Sequence, residues 1–103
     1  MNKKMKVEEI ACPITRTMTI VGGKWSLPII YVLMKETLRF KELERKLEGV
    51  NTRMLVKELK HLEVHGIIHR KVYAEIPPKV EYSLTSRGKE LKKVLAALKE
   101  WGT

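Results

Sequence analysis

Three basic side chains share one face of a helix that we predict from Asn51 to about His65. They are Arg53, Lys57 and Lys60. At about 100° per residue, they lie opposite an apolar face that would pack on a core. That apolar face consists of Leu55, Leu59 and Leu62. Because long cationic side chains on an exposed helix reach guanine edges and phosphates in the major groove, this spacing predicts a DNA recognition helix.

Three further residues complete the predicted contact surface of this helix. Asn51 is expected to cap the helix, since its side-chain oxygen can accept an N–H of the first turn. Thr52 and Val56 flank the basic face, where their methyl groups can meet a thymine methyl. We therefore predict DNA contacts for all three residues. Taken alone, the same pattern also fits a solvated face on a lysine-rich surface, so the surrounding elements decide between the two interpretations.

The elements around this helix have the order of a winged helix-turn-helix. Residues 39–47 form a predicted two-turn helix with an apolar stripe, and Gly49 ends it. Two helices joined by about four residues around a glycine have the outline of a helix-turn-helix. Gly66 supplies the turn after the second helix. Residues 67–73 and 79–84 then alternate as two strands around a tip stiffened by Pro77 and Pro78, which predicts a two-stranded β wing over residues 67–84.

Basic residues beside these elements extend the predicted DNA-binding surface. Arg70, Lys71 and Lys79 lie on or next to the wing, where they could follow a phosphate backbone or enter a minor groove. Arg39, at the start of the short helix, is predicted to contact DNA as well. Glu75 in the wing argues against a purely electrostatic contact.

The two ends of the chain carry helices that we expect to form a homodimer. Residues 14–21 and 25–34 are predicted helices, and Thr85 is expected to cap a last helix. That last helix carries an apolar stripe too long for so small a domain to cover, so a second copy should cover it with help from the first helix. The stripe consists of Leu91, Val94, Leu95, Leu98 and Trp101.

Length and charge agree with one basic, globular domain. A chain of 103 residues supports one hydrophobic core, so we treat residues 1–103 as a single domain. Lys and Arg number 21 against 12 acids, a formal net charge of +9 that attracts polyanions.

No apolar run reaches the about 18 residues that span a bilayer, and no signal-type segment is present. We expect a cytoplasmic protein with no membrane partner.

Cys12 is the only cysteine, which excludes an intrachain disulfide and a zinc site built from several thiolates. It directly precedes Pro13 at the start of the first predicted helix, with Arg16 one turn further on. The positive end of a helix lowers the pKa of a thiol placed there. Cys12 is therefore either a candidate redox sensor or a small apolar residue of the core.

No pattern of catalytic or cofactor-binding residues is present. His61, His65 and His69 are spaced by four, but Gly66 interrupts the helix before the third, and the chain contains no Asp. There is no glycine-rich phosphate loop, and no nucleophile has a patterned base. We expect neither an enzyme, nor a metal site, nor a cofactor.

Several strings in this sequence closely resemble the HxlR-type regulators, a branch of the MarR-like winged helix-turn-helix superfamily. The resemblance implies an α+β, mainly helical fold with N- and C-terminal dimerisation helices. It also implies a homodimeric transcription regulator that binds a pseudo-palindromic operator, and some relatives use a cysteine at the position of Cys12 to sense oxidants. The match departs at Asn51-Thr52, where family members often carry Ser-Pro. The matching strings lie at residues 12–13, 22–25, 39–43, 59–66, 72–82 and 84–88.

A protein partner and RNA are the two alternatives to duplex DNA. A winged helix can also be a protein interaction module, but such a surface more often carries apolar groups where this helix carries Arg53, Lys57 and Lys60. RNA is disfavoured, because the deep, narrow major groove of A-form RNA does not admit a helix.

Overall fold

The computed structural model describes residues 12–103, and local signals in the sequence account for most of its element boundaries. Pro13 occupies the first position of the first helix, where its missing N–H costs nothing. The left-handed glycines Gly49, at φ 93°, and Gly66, at φ 72°, lie where the two helices of the helix-turn-helix end. The elements are α1 (Pro13–Val21), α2 (Ser26–Lys35), β1 (Leu38–Arg39), α3 (Phe40–Lys46), α4 (Thr52–Val64), β2 (Ile68–Tyr73), β3 (Lys79–Leu84), α5 (Ser86–Lys89) and α6 (Lys92–Trp101).

The helix predicted from Asn51 to about His65 is confirmed as α4, with the expected cap and the expected buried face. The side chain of Asn51 accepts a hydrogen bond from the backbone N–H of Met54 at 2.8 Å. Leu55, Leu59 and Leu62 are each at most 2% exposed. They join a core to which α2 and α3 also contribute, through residues such as Ile29, Ile30, Leu33 and Leu43.

The sheet has three strands, in the order β1-β3-β2, and all pairs are antiparallel. The two wing strands were expected, but β1 was not, since the sequence placed Arg39 in a helix. In the structure Leu38 pairs with Tyr82 and Arg39 pairs with Glu81. A strand of two residues is too short to produce an alternating pattern, which is why periodicity did not detect it.

The last helix is divided in two, which corrects the prediction of one continuous helix after Thr85. Thr85 does cap the first part, because its hydroxyl accepts a hydrogen bond from the N–H of Gly88 at 3.1 Å. A tighter turn of the 3₁₀ type follows, because the N–H of Leu91 donates to the carbonyl of Gly88, three residues before it, at 3.1 Å. Gly88 packs so closely on the backbone carbonyl of Ile67 that a Cβ would overlap it. This contact ties the start of the last helix to the base of the wing.

Within residues 12–103, no single helix is long and apolar enough to cross a membrane. The pair α1 and α2 meets that test only when taken together, and the two helices are bent by 79° at their junction. Ile29, Ile30 and Leu33 of α2 lie in the core described above.

Candidate nucleic-acid interface

The basic side of α4 faces away from the core along the whole helix. Arg53, Lys57 and Lys60 are exposed, as are Thr52 and Val56 beside them. Val56 is 51% exposed, although its side chain is apolar. The structure therefore brings the five predicted contact residues of α4 onto one accessible side of the helix.

Two polar side chains at the start of α4 are already engaged within the protein. The side-chain oxygen of Asn51 serves the helix cap, and the hydroxyl of Thr52 donates to a carboxylate oxygen of Glu44 in α3 at 2.7 Å. The second bond joins the two helices of the helix-turn-helix, and the sequence reasoning missed it. A glutamate eight residues before a threonine carries no periodic signal, because the turn between them decides whether they meet.

The wing carries its cations around one tyrosine and one glutamate. The Nζ atoms of Lys71 and Lys79 lie 4.9 and 4.7 Å from the centre of the Tyr73 ring. Lys79 also lies 3.5 Å from Glu81, and both side chains are about one quarter exposed, at 26% and 24%. The Tyr73 hydroxyl beside Glu81, assisted by Lys79 and Arg39, holds the pKa of the Glu81 carboxyl below its ordinary value. Glu81 is therefore an anion that neutralises part of the wing.

A groove of about 410 Å³ separates α4 from the base of the wing. Lys60 enters it from the helix and Arg70 enters it from β2, so the two predicted contact residues share one depression. Arg39 lies elsewhere, in a second groove of about 520 Å³ beside Lys41 and Arg45 of α3. The predicted DNA-binding residues thus form a broad surface rather than a single pocket.

The apolar stripe predicted for dimer formation is divided by the structure. Leu95 is 8% exposed and belongs to the core of this chain, because α6 packs against α2. This corrects the assignment of Leu95 to a partner-facing surface, and Leu91 is half-buried against the same core. A stripe this wide lets one edge pack inward and the other point outward. The outward edge has Val94 at 44%, Leu98 at 47% and Trp101 at 88% exposure.

The first helix adds two more apolar side chains to the surface. Ile14 and Met18 are 73% and 51% exposed, and four residues separate them, so they lie on the same face of α1. We group these with the outward edge of α6 and call the set the terminal apolar surface. It consists of Ile14, Met18, Val94, Leu98 and Trp101.

Cys12 lies at the N-cap of α1 and is half-buried. The backbone N–H groups of Thr15 and then Ile14 point to its sulfur and lower the pKa of the thiol, and Arg16 adds a smaller effect in the same direction. The geometry therefore favours the thiolate, as the position before Pro13 had suggested.

The three histidines do not come together. The rings of His61 and His65 meet edge to face at 4.5 Å between centres, and His69 lies on β2. Among the residues that the structure describes, no three His, Cys or Glu side chains are grouped closely enough to hold a metal ion.

Comparison with known proteins agrees with this architecture. A family model for the HxlR-like helix-turn-helix matches residues 20–103. The HTH-type transcriptional regulator YybR of Bacillus subtilis is 43% identical over 91 residues, which cover 88% of this chain and 73% of YybR.

Solved structures give the same result. A MarR-family transcriptional regulator from Porphyromonas gingivalis superposes with a TM-score of 0.87 at 37% identity, over 97% of this chain and 96% of the other. The redox regulator HypR in its oxidised form gives a TM-score of 0.84 at 43% identity, over 88% and 94% of the two chains. YybR and the Porphyromonas gingivalis protein are transcriptional regulators and not enzymes. The chain therefore belongs to the HxlR-like helix-turn-helix family, and it is a transcriptional regulator with a winged-helix fold.

Proposed function

We propose that this regulator binds double-stranded DNA as a homodimer, with α4 in the major groove and the wing against the backbone or the minor groove. The observation that carries the proposal is the exposed side of α4, where Arg53, Lys57 and Lys60 lie opposite a fully buried leucine face, with Val56 beside them. Such a helix presents cations to phosphates and guanine edges while the core holds it rigidly. The surplus of nine positive charges favours the same partner.

The proposed DNA contacts of α4 are of two kinds, base contacts near its start and phosphate contacts further along. Arg53 and Lys57 lie in the N-terminal half, which is the part of a recognition helix that reaches base edges. Lys60 lies further along and shares the groove below the wing with Arg70. A sugar-phosphate strand that leaves the major groove would pass between helix and wing, so we assign Lys60 and Arg70 to phosphates and Arg53 to base recognition.

The terminal apolar surface supports the homodimer. Five exposed apolar side chains on two helices are available for a second copy to cover, and a groove of about 450 Å³ between α2 and α6 lies beside Leu98. A symmetric dimer presents two copies of α4 to successive major grooves, so its operator should have the same two-fold symmetry.

The thiol of Cys12 supports a second function, sensing of oxidants. HypR, a redox regulator, is 43% identical to this chain, and Cys12 has a lowered thiol pKa and is only half-buried. A thiolate is the nucleophile that attacks oxidants and electrophiles. In a dimer, two copies of Cys12 would be available for an intersubunit disulfide.

Substitutions on α4 test the DNA interface. Arg53→Ala should weaken binding to a selected duplex by about 1–3 kcal/mol and relax the preference at one base position. Lys60→Ala should weaken binding to all sequences alike and reduce the slope of log Kd against log salt by about one unit. Fluorescence anisotropy over a salt series measures both effects. Lys92→Ala, which removes an exposed lysine from α6, is the matched control. If Arg53→Ala and Lys60→Ala bound DNA with the same affinity as Lys92→Ala, the proposed DNA interface would be wrong.

A charge in the terminal apolar surface tests the dimer. Leu98→Glu should convert a dimer to a monomer at micromolar concentration, because a carboxylate would be buried without a partner at the interface. Sedimentation velocity measures the change, and the half-exposed position leaves the fold of one chain intact. Ile76→Glu at the wing tip, where the native side chain is fully exposed, is the control. A monomeric wild-type protein would overturn the assignment.

Alkylation of Cys12 tests the sensor. Since the folded state lowers its thiol pKa, the rate of alkylation should reach its plateau at a lower pH in the native protein than in urea. Diamide should then change DNA affinity at least several-fold, and Cys12→Ser should remove that response while reduced-state binding stays the same. A thiol that reacts only after unfolding would instead assign Cys12 to the core.

A further inference from the structure

Two polar side chains fasten α4 to residues 20–26, which run from the end of α1 to the start of α2. A carboxylate oxygen of Glu58 accepts a hydrogen bond from the hydroxyl of Ser26 at 3.0 Å, and Ser26 is completely buried. One turn further along α4, Nε2 of His61 lies 3.0 Å from the carbonyl oxygen of Ile20. Both α4 side chains are half-buried, so neither belongs to the exposed basic face.

The joining segment, residues 20–26, is shaped to receive these side chains. A Cβ on Gly23 would lie 2.5 Å from Oε1 of Glu58 and 3.0 Å from Oγ of Ser26, so any larger residue would displace the carboxylate from this position. Next to it, the Trp25 ring lies against Gly49, the left-handed glycine of the helix-turn-helix, at 3.8 Å from the position of a Cβ there. One short segment therefore contacts both α4 and the turn that precedes it.

Apolar packing alone does not hold a helix at one rotation as strictly as directional bonds do. The buried leucines keep the apolar face of α4 turned inward, and hydrogen bonds add a finer restraint on its rotation, because they weaken steeply with distance and angle. A rotation of α4 by about 20° would move a group on the helix surface, about 5–6 Å from the axis, by about 2 Å. That displacement is enough to break a hydrogen bond between a side chain and a base edge.

We propose that Glu58 and His61 are positioning residues that set the rotation of α4 and thereby determine which side chains read DNA bases, without touching DNA themselves. The proposal rests on the DNA-binding function proposed above. Specific recognition needs a fixed rotation, because each base contact has its own geometry. Non-specific binding does not need it, because phosphate contacts tolerate small displacements and depend mainly on net charge.

The test compares variants on a selected operator and on a random duplex. Glu58→Ala and His61→Leu should each reduce the ratio of specific to non-specific affinity about tenfold, the effect of losing one base contact. Their affinity for the random duplex should change by less than about twofold per removed charge, with the same salt slope. Glu58→Gln and His61→Gln retain an acceptor for Ser26 and a donor for Ile20, so they should keep most of the wild-type ratio.

Gly23→Ala perturbs the same contact from the opposite side. Its methyl group would displace the Glu58 carboxylate, so the variant should lose specificity as Glu58→Ala does, and the double variant should lose no more than either single variant. Thermal unfolding identifies any variant that fails to fold, and the remaining variants then carry the test.

Variants that fold and keep the wild-type ratio of affinities would overturn the positioning role, and so would equal losses on both duplexes. In both of these outcomes the wild-type protein would still prefer its operator to a random duplex, so the proposed DNA-binding function would not be affected. A wild-type protein that prefers no duplex would overturn both.

Discussion

Burial of the leucine face of α4 is the interaction on which the other features depend. Each fully buried leucine contributes about 1.5–3 kcal/mol relative to an exposed one, and three of them hold α4 against the core. Because the helix cannot turn this face outward, the basic residues on the opposite side must face solvent. The same packing places the N-terminus of α4 next to α3 and its exposed side next to the wing. The surface that we assign to DNA is thus a consequence of the core beneath it.

The acidic residues are fewer than the basic ones, but several of them bond to neighbouring elements of the fold. Glu44 and Glu58 bond to hydroxyl groups of neighbouring elements, and Glu81 lies among the cations of the wing. These carboxylates hold helices and strands in register instead of contributing to solubility alone. A highly basic protein can therefore keep a defined shape, because acids at particular positions offset the repulsion between its cations.

Helical periodicity, caps and turn residues were sufficient to predict α4 and both wing strands, because these signals lie within short stretches of sequence. The family resemblance came instead from matching strings of residues. The strand formed by Leu38 and Arg39 was missed since two residues show no period. The exposure of Leu95 was misjudged because a helical stripe does not reveal which edge meets its own core. The bonds from Glu58 and His61 join positions 32 and 41 residues apart, and only the fold brings them together.

We have proposed that two copies of α4 bind DNA as one symmetric dimer. Repeated selection of bound fragments from a pool of random duplexes, followed by sequencing, tests it most directly. We expect enrichment of an inverted repeat, with a spacing of about one helical turn, or a multiple of it, between the centres of its half-sites. Enrichment of a single asymmetric site, or a pool that stays random while the protein binds every duplex equally, would contradict it.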